Sequence, residues 1–401
     1  MKWFDNGGPP RPPSPRRRPV TATAAERTPR AAWAIVAAAA PVHLGLALAT
    51  DLSPDEAYYL CAARLGSAIA DHPPLVMWLL RASDRWTALP VELRVRLWPV
   101  LFSLATGIAI VALARRRGAG PEGCVMAAWI GSWALLPTAG GFVATPDGPL
   151  LLAVTLALLL PLPAAGALLL GGALAKVTAL PVAVALALGH RRRAPAARAA
   201  LALIPLLALP LLLPSLRFQL RHAFAQGAPA GWSAAEAIGA LLAAVTAQAF
   251  LWSPPVIGLG IRNLGELPPA DRALAWSLTA LVLISALVRA VPPEPNWWAP
   301  AAIVVLASFA RTVTDLSPRA RRAILASVLL PTAIAAAHTA RPILPLPERL
   351  DPTARLHGWS TGREPVTAPG IGPYGAAAER CAYRGDCDEI LSYFSKMHVH
   401  E

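Results

Sequence analysis

Two adjacent carboxylates, Asp55 and Glu56, stand in the run D-L-S-P-D-E-A-Y-Y directly after the first long apolar stretch, with aromatic residues behind them. A carboxylate held at such a boundary can accept a proton from a hydroxyl, although adjacent acids in a loop are commonly only solvated charge. Further on, Asp71-His72-Pro73-Pro74 joins an acid to an imidazole where two prolines fix the direction of the chain. That pair could hold a phosphate, a metal or a neighbouring loop, or it could be a structural turn. Thr145-Pro146-Asp147 opens another apolar run, Lys176 interrupts a third, and Arg217-Phe218-Gln219-Leu220-Arg221-His222 and Glu294-Pro295-Asn296-Trp297-Trp298 follow.

The elements that must position these groups are membrane helices. The chain has 401 residues, 55% of them hydrophobic and 15% charged, with 36 Lys plus Arg against 23 Asp plus Glu and a net charge of +13. A soluble domain would carry about 25% charged residues, so an ordinary soluble domain is excluded. The runs 98–114, 149–162 and 201–214 are apolar without the polar stripe of a surface helix. The class is an all-α polytopic membrane protein. Residues 1–30 are rich in Arg and Pro with almost nothing to bury, which fits a disordered cytoplasmic tail. The stretch 31–49 has the length of a full span and no clear cleavage site, and so reads as a first transmembrane helix rather than a signal peptide. Nucleic-acid binding would need basic charge clustered on a folded soluble face. Arginine instead punctuates the apolar runs, so no nucleic-acid partner is expected.

Apolar segments fall at about 31–50, 95–114, 121–138, 148–162, 163–189, 199–214, 236–260, 273–291, 298–312 and 321–340. Arginine-rich connections at 115–117, 191–198, 262–272 and 311–322 belong in the cytoplasm by the positive-inside rule. Parity between Arg117 and Arg191 then requires 163–189 to turn back as two short half-helices meeting near Lys176. The result is a bundle of about 11 helices with a long first outer loop, 51–94, and an outer C-terminal tail. Every polar motif named above then faces the outer compartment, which points to one site at the outer membrane boundary, fed from lipid and water.

The segments DEAYY, DHPPL, ATPDGPLLL, GALAKVTAL, LRFQLRHAF and PNWWAPA occur in that order between about 50 and 300. Together they resemble the bacterial family-39-like glycosyltransferases of the GT-C class, which include protein O-mannosyltransferase-like and aminoarabinose-transferase-like enzymes. The resemblance implies a GT-C-like transmembrane bundle over 31–340 and a short extracytoplasmic tail over 341–401. It also implies transfer of a sugar from a polyprenyl phosphate to an acceptor lipid, glycan or protein, at the outer face of the bacterial cytoplasmic membrane. The sequence departs from the usual pattern at Trp298, where PNWWAP stands for an expected PNWPAP, at Val177 after the lysine and at Ala223 after His222.

A sugar on a lipid phosphate already has a good leaving group, so such a site needs cations for the departing phosphate more than a general acid. Lys176, Arg217 and Arg221 are placed for that, though a cation near a membrane boundary can also merely snorkel. Asp71, His72, His222 and Asn296 complete the substrate-binding candidates. In the resemblance the first acid of the first outer loop is catalytic, which selects Asp55, with Glu56 and Asp147 in reserve; Asp147 at the head of a helix can equally be a cap. No cofactor is required by these motifs, and a divalent metal remains open. Cys61 and Cys124 read as packed apolar residues. Cys381 and Cys387 share the outer tail, where an oxidising compartment allows a disulfide, and His398, His400 and Glu401 read as a frayed end rather than a metal site. A transporter or flippase-like protein is the rival reading, but it should show inverted repeats and charges near mid-membrane.

Overall fold

A computed structural model describes residues 29–66, 72–191, 194–225, 233–289, 293–365, 368 and 373–392, with the backbone alone over 218–225 and at 289 and 373. Among the described residues every regular element is a helix and no strand occurs. Helix α1 is Arg30–Ala49, the following loop folds into α2, Pro54–Leu65, and α3, Leu75–Ser83, and α4 is Val91–Arg116. Helices α5, Pro121–Trp133, and α6, Leu135–Phe142, are bent against each other by 52°. Three shorter apolar helices follow, α7 (Asp147–Ala157), α8 (Leu162–Ala175) and α9 (Ala179–Gly189). Next come α10 (Pro195–Leu203), running through a 3-10 turn into α11 (Leu209–Ala225), then α12 (Ala234–Trp252), α13 (Pro254–Arg262), α14 (Pro269–Arg289), α15 (Ala299–Thr312), α16 (Pro318–Ala340) and α17 (Pro373–Arg384). Among the described residues seven segments are long and apolar enough to cross a membrane, the bent α5–α6 pair makes an eighth, and α7, α8 and α9 are apolar but shorter, which is roughly consistent with the expected bundle of about 11 helices. The chain is a multi-pass membrane protein.

Polar contacts define the two ends of the bundle. At one end, Arg117 just past α4 pairs with Asp271 on α14 at 2.5 Å and donates to the Leu158 carbonyl just past α7 at 3.0 Å. Arg311 pairs with Glu266 at 3.0 Å, and Arg321 with Glu122. Gly189, the last residue of α9, lies so close to the start of α14 that a Cβ there would meet Ala270 Cα at 2.3 Å. At the opposite end, Lys176 between α8 and α9 reaches Asp147 at the start of α7. Helices α8 and α9 therefore run up and back, with their turn at Lys176, whose backbone is extended. At about 1.5 Å per residue neither is long enough to span alone, and both are buried among neighbours such as α10 and α14.

Proline explains where the structure departs from the expected segments. The expected continuous span over 121–138 is instead broken at Ala134 and extended to Phe142, because the ring of Pro137 clashes with the carbonyl four residues earlier. The single segment expected over 236–260 is two helices, broken at Ser253, which has φ +75° and precedes Pro254 and Pro255. Small residues allow close helix approach in a membrane. A Cβ at Gly123 on α5 would lie 2.0 Å from the Ala310 carbonyl oxygen, and one at Gly260 on α13 would lie 2.5 Å from that of Val305. Both grip α15, which is buried from Ala299 to Ala310 and forms the centre of the bundle.

After α16 residues 341–350 are exposed, whereas α17 packs against the rest of the chain. Ala377, Ala378 and Cys381 on α17 are buried against α2 together with Tyr58, Leu60 and Cys61. Its apolar residues recur at helical spacing, which gives the small segment a face to bury.

Candidate functional site

Helix α2 starts in a capping box: Ser53 Oγ accepts from the Glu56 amide at 3.3 Å, and Glu56 Oε2 accepts from the Ser53 amide at 2.8 Å. Consecutive helical residues point about 100° apart, so the two acids meet different surroundings. Glu56 turns into the bundle, where Oε1 accepts from Arg96 Nε at 3.0 Å and from the Ala144 amide at 2.8 Å, while Oε2 also accepts from Arg96 Nη2 at 2.7 Å. Arg96 spends its remaining donors on the carbonyls of Ala47, Thr50 and Asp51 and on the Thr50 hydroxyl. Both side chains are 0% exposed. All lone-pair directions of Glu56 are filled, and the pair ties the end of α1 and the starts of α2 and α4 to the loop before α7.

Asp55 faces the rim and is half-buried. One oxygen accepts a hydrogen bond from the Tyr374 hydroxyl at 3.2 Å. Burial raises the Asp55 carboxyl above the usual carboxylate range, against the opposing effect of the Arg355 charge, the Tyr374 hydrogen bond and His72; Glu294 adds to the rise. The His72 ring meets Tyr59 edge-on, with centroids 5.3 Å apart. The structure thus gathers Asp55, His72, Glu294, Arg355 and Tyr374 in one neighbourhood. Behind it, Glu379 on α17 is buried, both its oxygens lack hydrogen-bond partners among the described residues, and burial with the nearby charges of Glu56 and Asp51 pushes its carboxyl well above the ordinary value.

The second cluster lies at the same end. Asp147 Oδ1 accepts from Lys176 Nζ at 2.9 Å and Oδ2 from Asn296 Nδ2 at 2.7 Å. Three residues far apart in the chain meet there because α7 starts, α8 ends and α15 begins at this level. The cluster borders a mainly apolar cavity of about 160 Å³, whose lining includes Phe102, Thr106, Leu136, Asp147, Trp252 and Asn296. Two buried polar atoms on that lining, Trp252 Nε1 and Asn296 Oδ1, have no partner among the described residues. Such atoms are costly unless a ligand or water completes them. The arrangement offers a cation beside an apolar cavity, with Glu294 two residues before Asn296 in the chain.

Of the remaining candidates, Arg217 is exposed on α11 and does not line the cavity. Asp71 and the side chains of Arg221 and His222 lie outside the described residues, as do 1–28, His398, His400 and Glu401. Among the described residues no set of three His, Cys, Asp or Glu side chains is gathered as for a metal. Cys381 and Cys387 are joined in a disulfide, while Cys61 and Cys124 are buried and free. Sequence reasoning missed Arg96, Tyr374, Arg355 and Trp252. Arg96 carried a signal, an ionisable residue inside an apolar run; the other three carried none.

No protein-family model and no curated protein matches the chain. Two crystal structures of ArnT from Cupriavidus metallidurans share its fold. The apo structure gives a TM-score of 0.57 at 17% identity, covering 91% of this chain and 74% of that one. The structure bound to undecaprenyl phosphate gives 0.58 at 18% identity, covering 91% and 75%. The fold is therefore GT-C-like, as the ordered motifs implied.

Proposed function

We propose that this chain is a membrane glycosyltransferase that moves a sugar from a polyprenyl-phosphate donor to an acceptor hydroxyl at the outer face of the cytoplasmic membrane. The observation that carries the reading is the Lys176–Asp147–Asn296 cluster at the edge of an apolar cavity, on a fold shared with a protein crystallised with undecaprenyl phosphate. An isoprenoid chain suits the cavity, and its phosphate suits Lys176. The acceptor oxygen attacks the anomeric carbon as the bond from that carbon to the phosphate oxygen breaks. Asp55 takes the acceptor's proton, and the electron pair leaves with the phosphate, beside Lys176. Asp147 orients the lysine, and Glu56 anchors the first turn of α2, which carries Asp55. Residues 31–340 form the transferase unit in this reading, and 341–401 its outer tail.

The test is a binding and transfer assay on purified protein in lipid nanodiscs. Undecaprenyl phosphate is expected to bind saturably, and label from one of a panel of radiolabelled polyprenyl-phosphate sugars is expected to pass to a membrane-extract acceptor. Folded protein that binds no undecaprenyl phosphate would overturn the reading, and label that crosses the bilayer without changing its carrier would establish the transporter alternative.

A further inference from the structure

Helix α17 docks along α2 on both sides of the acid pair. The Tyr383 hydroxyl accepts from the Leu52 amide and donates to Glu92 Oε1, each at 2.8 Å. Cys61 Sγ donates to the Ala378 carbonyl at 3.3 Å, and Arg64 Nη1 to that of Ala382 at 3.2 Å. At its first turn, Gly375 lies so close to Pro54 that a Cβ would approach Pro54 Cβ to 2.8 Å. Pro54 immediately precedes Asp55. The neighbouring Tyr374 lays its ring edge-on against Tyr58, with centroids 5.4 Å apart, and its hydroxyl on Asp55. The disulfide Cys381–Cys387 closes the far end of the same helix. Upstream in the same segment, the Leu356 carbonyl accepts from the Asp51 amide at 2.8 Å.

From this geometry we infer that Tyr374 is a positioning residue for the transfer reaction, aiming the Asp55 carboxylate and holding it ionised, so that the C-terminal segment is a working part of the site. The inference rests on the reading of Asp55 as the proton acceptor. A donated O–H favours the charged form of a carboxylate, as do the facing Arg355 and His72, whereas burial and Glu294 work the other way. The hydroxyl also fixes one oxygen, leaving the other to be aimed at the acceptor.

Tyr374→Phe tests this with little disturbance, because it keeps the ring against Tyr58 and the close approach at Gly375. Infrared titration of the full-length protein, with the Asp55 band identified by subtraction of Asp55→Asn, is expected to show the Asp55 midpoint moving to higher pH. The acid limb of transfer from a radiolabelled polyprenyl-phosphate sugar should move with it. Turnover at neutral pH should fall on the order of tenfold, the scale of a lost hydrogen bond to a charged group, at unchanged undecaprenyl-phosphate affinity. Coincident titration and turnover profiles for Tyr374→Phe and wild type, with Asp55→Asn inactive, would overturn the inference and leave the proposed function standing. A shifted Asp55 midpoint with wild-type turnover would overturn the positioning role alone. Wild-type turnover in Asp55→Asn would instead bring down the reading on which the inference rests.

Discussion

Two ion pairs lie at the same end of the bundle and differ in every respect that matters for function. Glu56–Arg96 is sealed, with both side chains 0% exposed and every donor and acceptor filled by its partner, by backbone or by Thr50. Lys176–Asp147 is open, with side chains 14% and 11% exposed, beside a cavity lined by two unpartnered polar atoms. A saturated pair has nothing left to offer a ligand and serves to fix the chain. An open pair keeps bonding capacity that a ligand can complete. Formal charge and membrane level are shared by the two, so the difference lies in the count of remaining bonds.

The comparison breaks first on stability. Arg96→Ala leaves Glu56 charged and buried, and loss of one partner of a buried pair costs about 3–5 kcal/mol. Lys176→Ala should cost less, because Lys176 keeps some exposure and Asn296 still serves Asp147. Thermal unfolding of the two variants in nanodiscs measures the contrast, and equal destabilisation would erase it. Asp55→Asn should come next, lowering turnover by about 10² or more while leaving undecaprenyl-phosphate affinity intact.

Lys176→Ala sharpens the functional side. Its removal should weaken undecaprenyl-phosphate binding by about tenfold and slow transfer as well, since one cation meets both the ground-state phosphate and the leaving charge. Equilibrium binding and single-turnover rates separate the two effects. The smallest effect concerns Glu379. Its raised carboxyl means that the folded chain holds a proton the unfolded chain releases, so stability is full below the ordinary glutamate range and is lost as pH rises through the folded value. Glu379→Gln should flatten that slope and raise the unfolding temperature at alkaline pH. An unchanged pH dependence of unfolding would show that Glu379 is not the group responsible.

Much of this was legible in the residues themselves. Apolar run lengths determined the helical class and the eleven segments, and arginine spacing required the reversal at Lys176. The order of polar motifs placed Asp147, Lys176 and Asn296 at one end, because a helix that crosses a membrane fixes the level of its two ends. Proline marked breaks at Ala134 and Ser253 that a reading by hydropathy alone passes over, since an apolar average is insensitive to a missing donor.

Only the tertiary structure shows how different the surroundings of the two adjacent acids are. Asp55 and Glu56 are one residue apart and chemically alike, and the rotation of α2 sends one to the rim and the other to Arg96, 40 positions away. Nor could spacing show that Tyr374 would cross 319 positions to reach Asp55, or that α17 would pack against α2. Sequence fixes level through helix length and ends through charge. Azimuth around each helix, and with it the partner each side chain meets, follows from how all the helices pack at once.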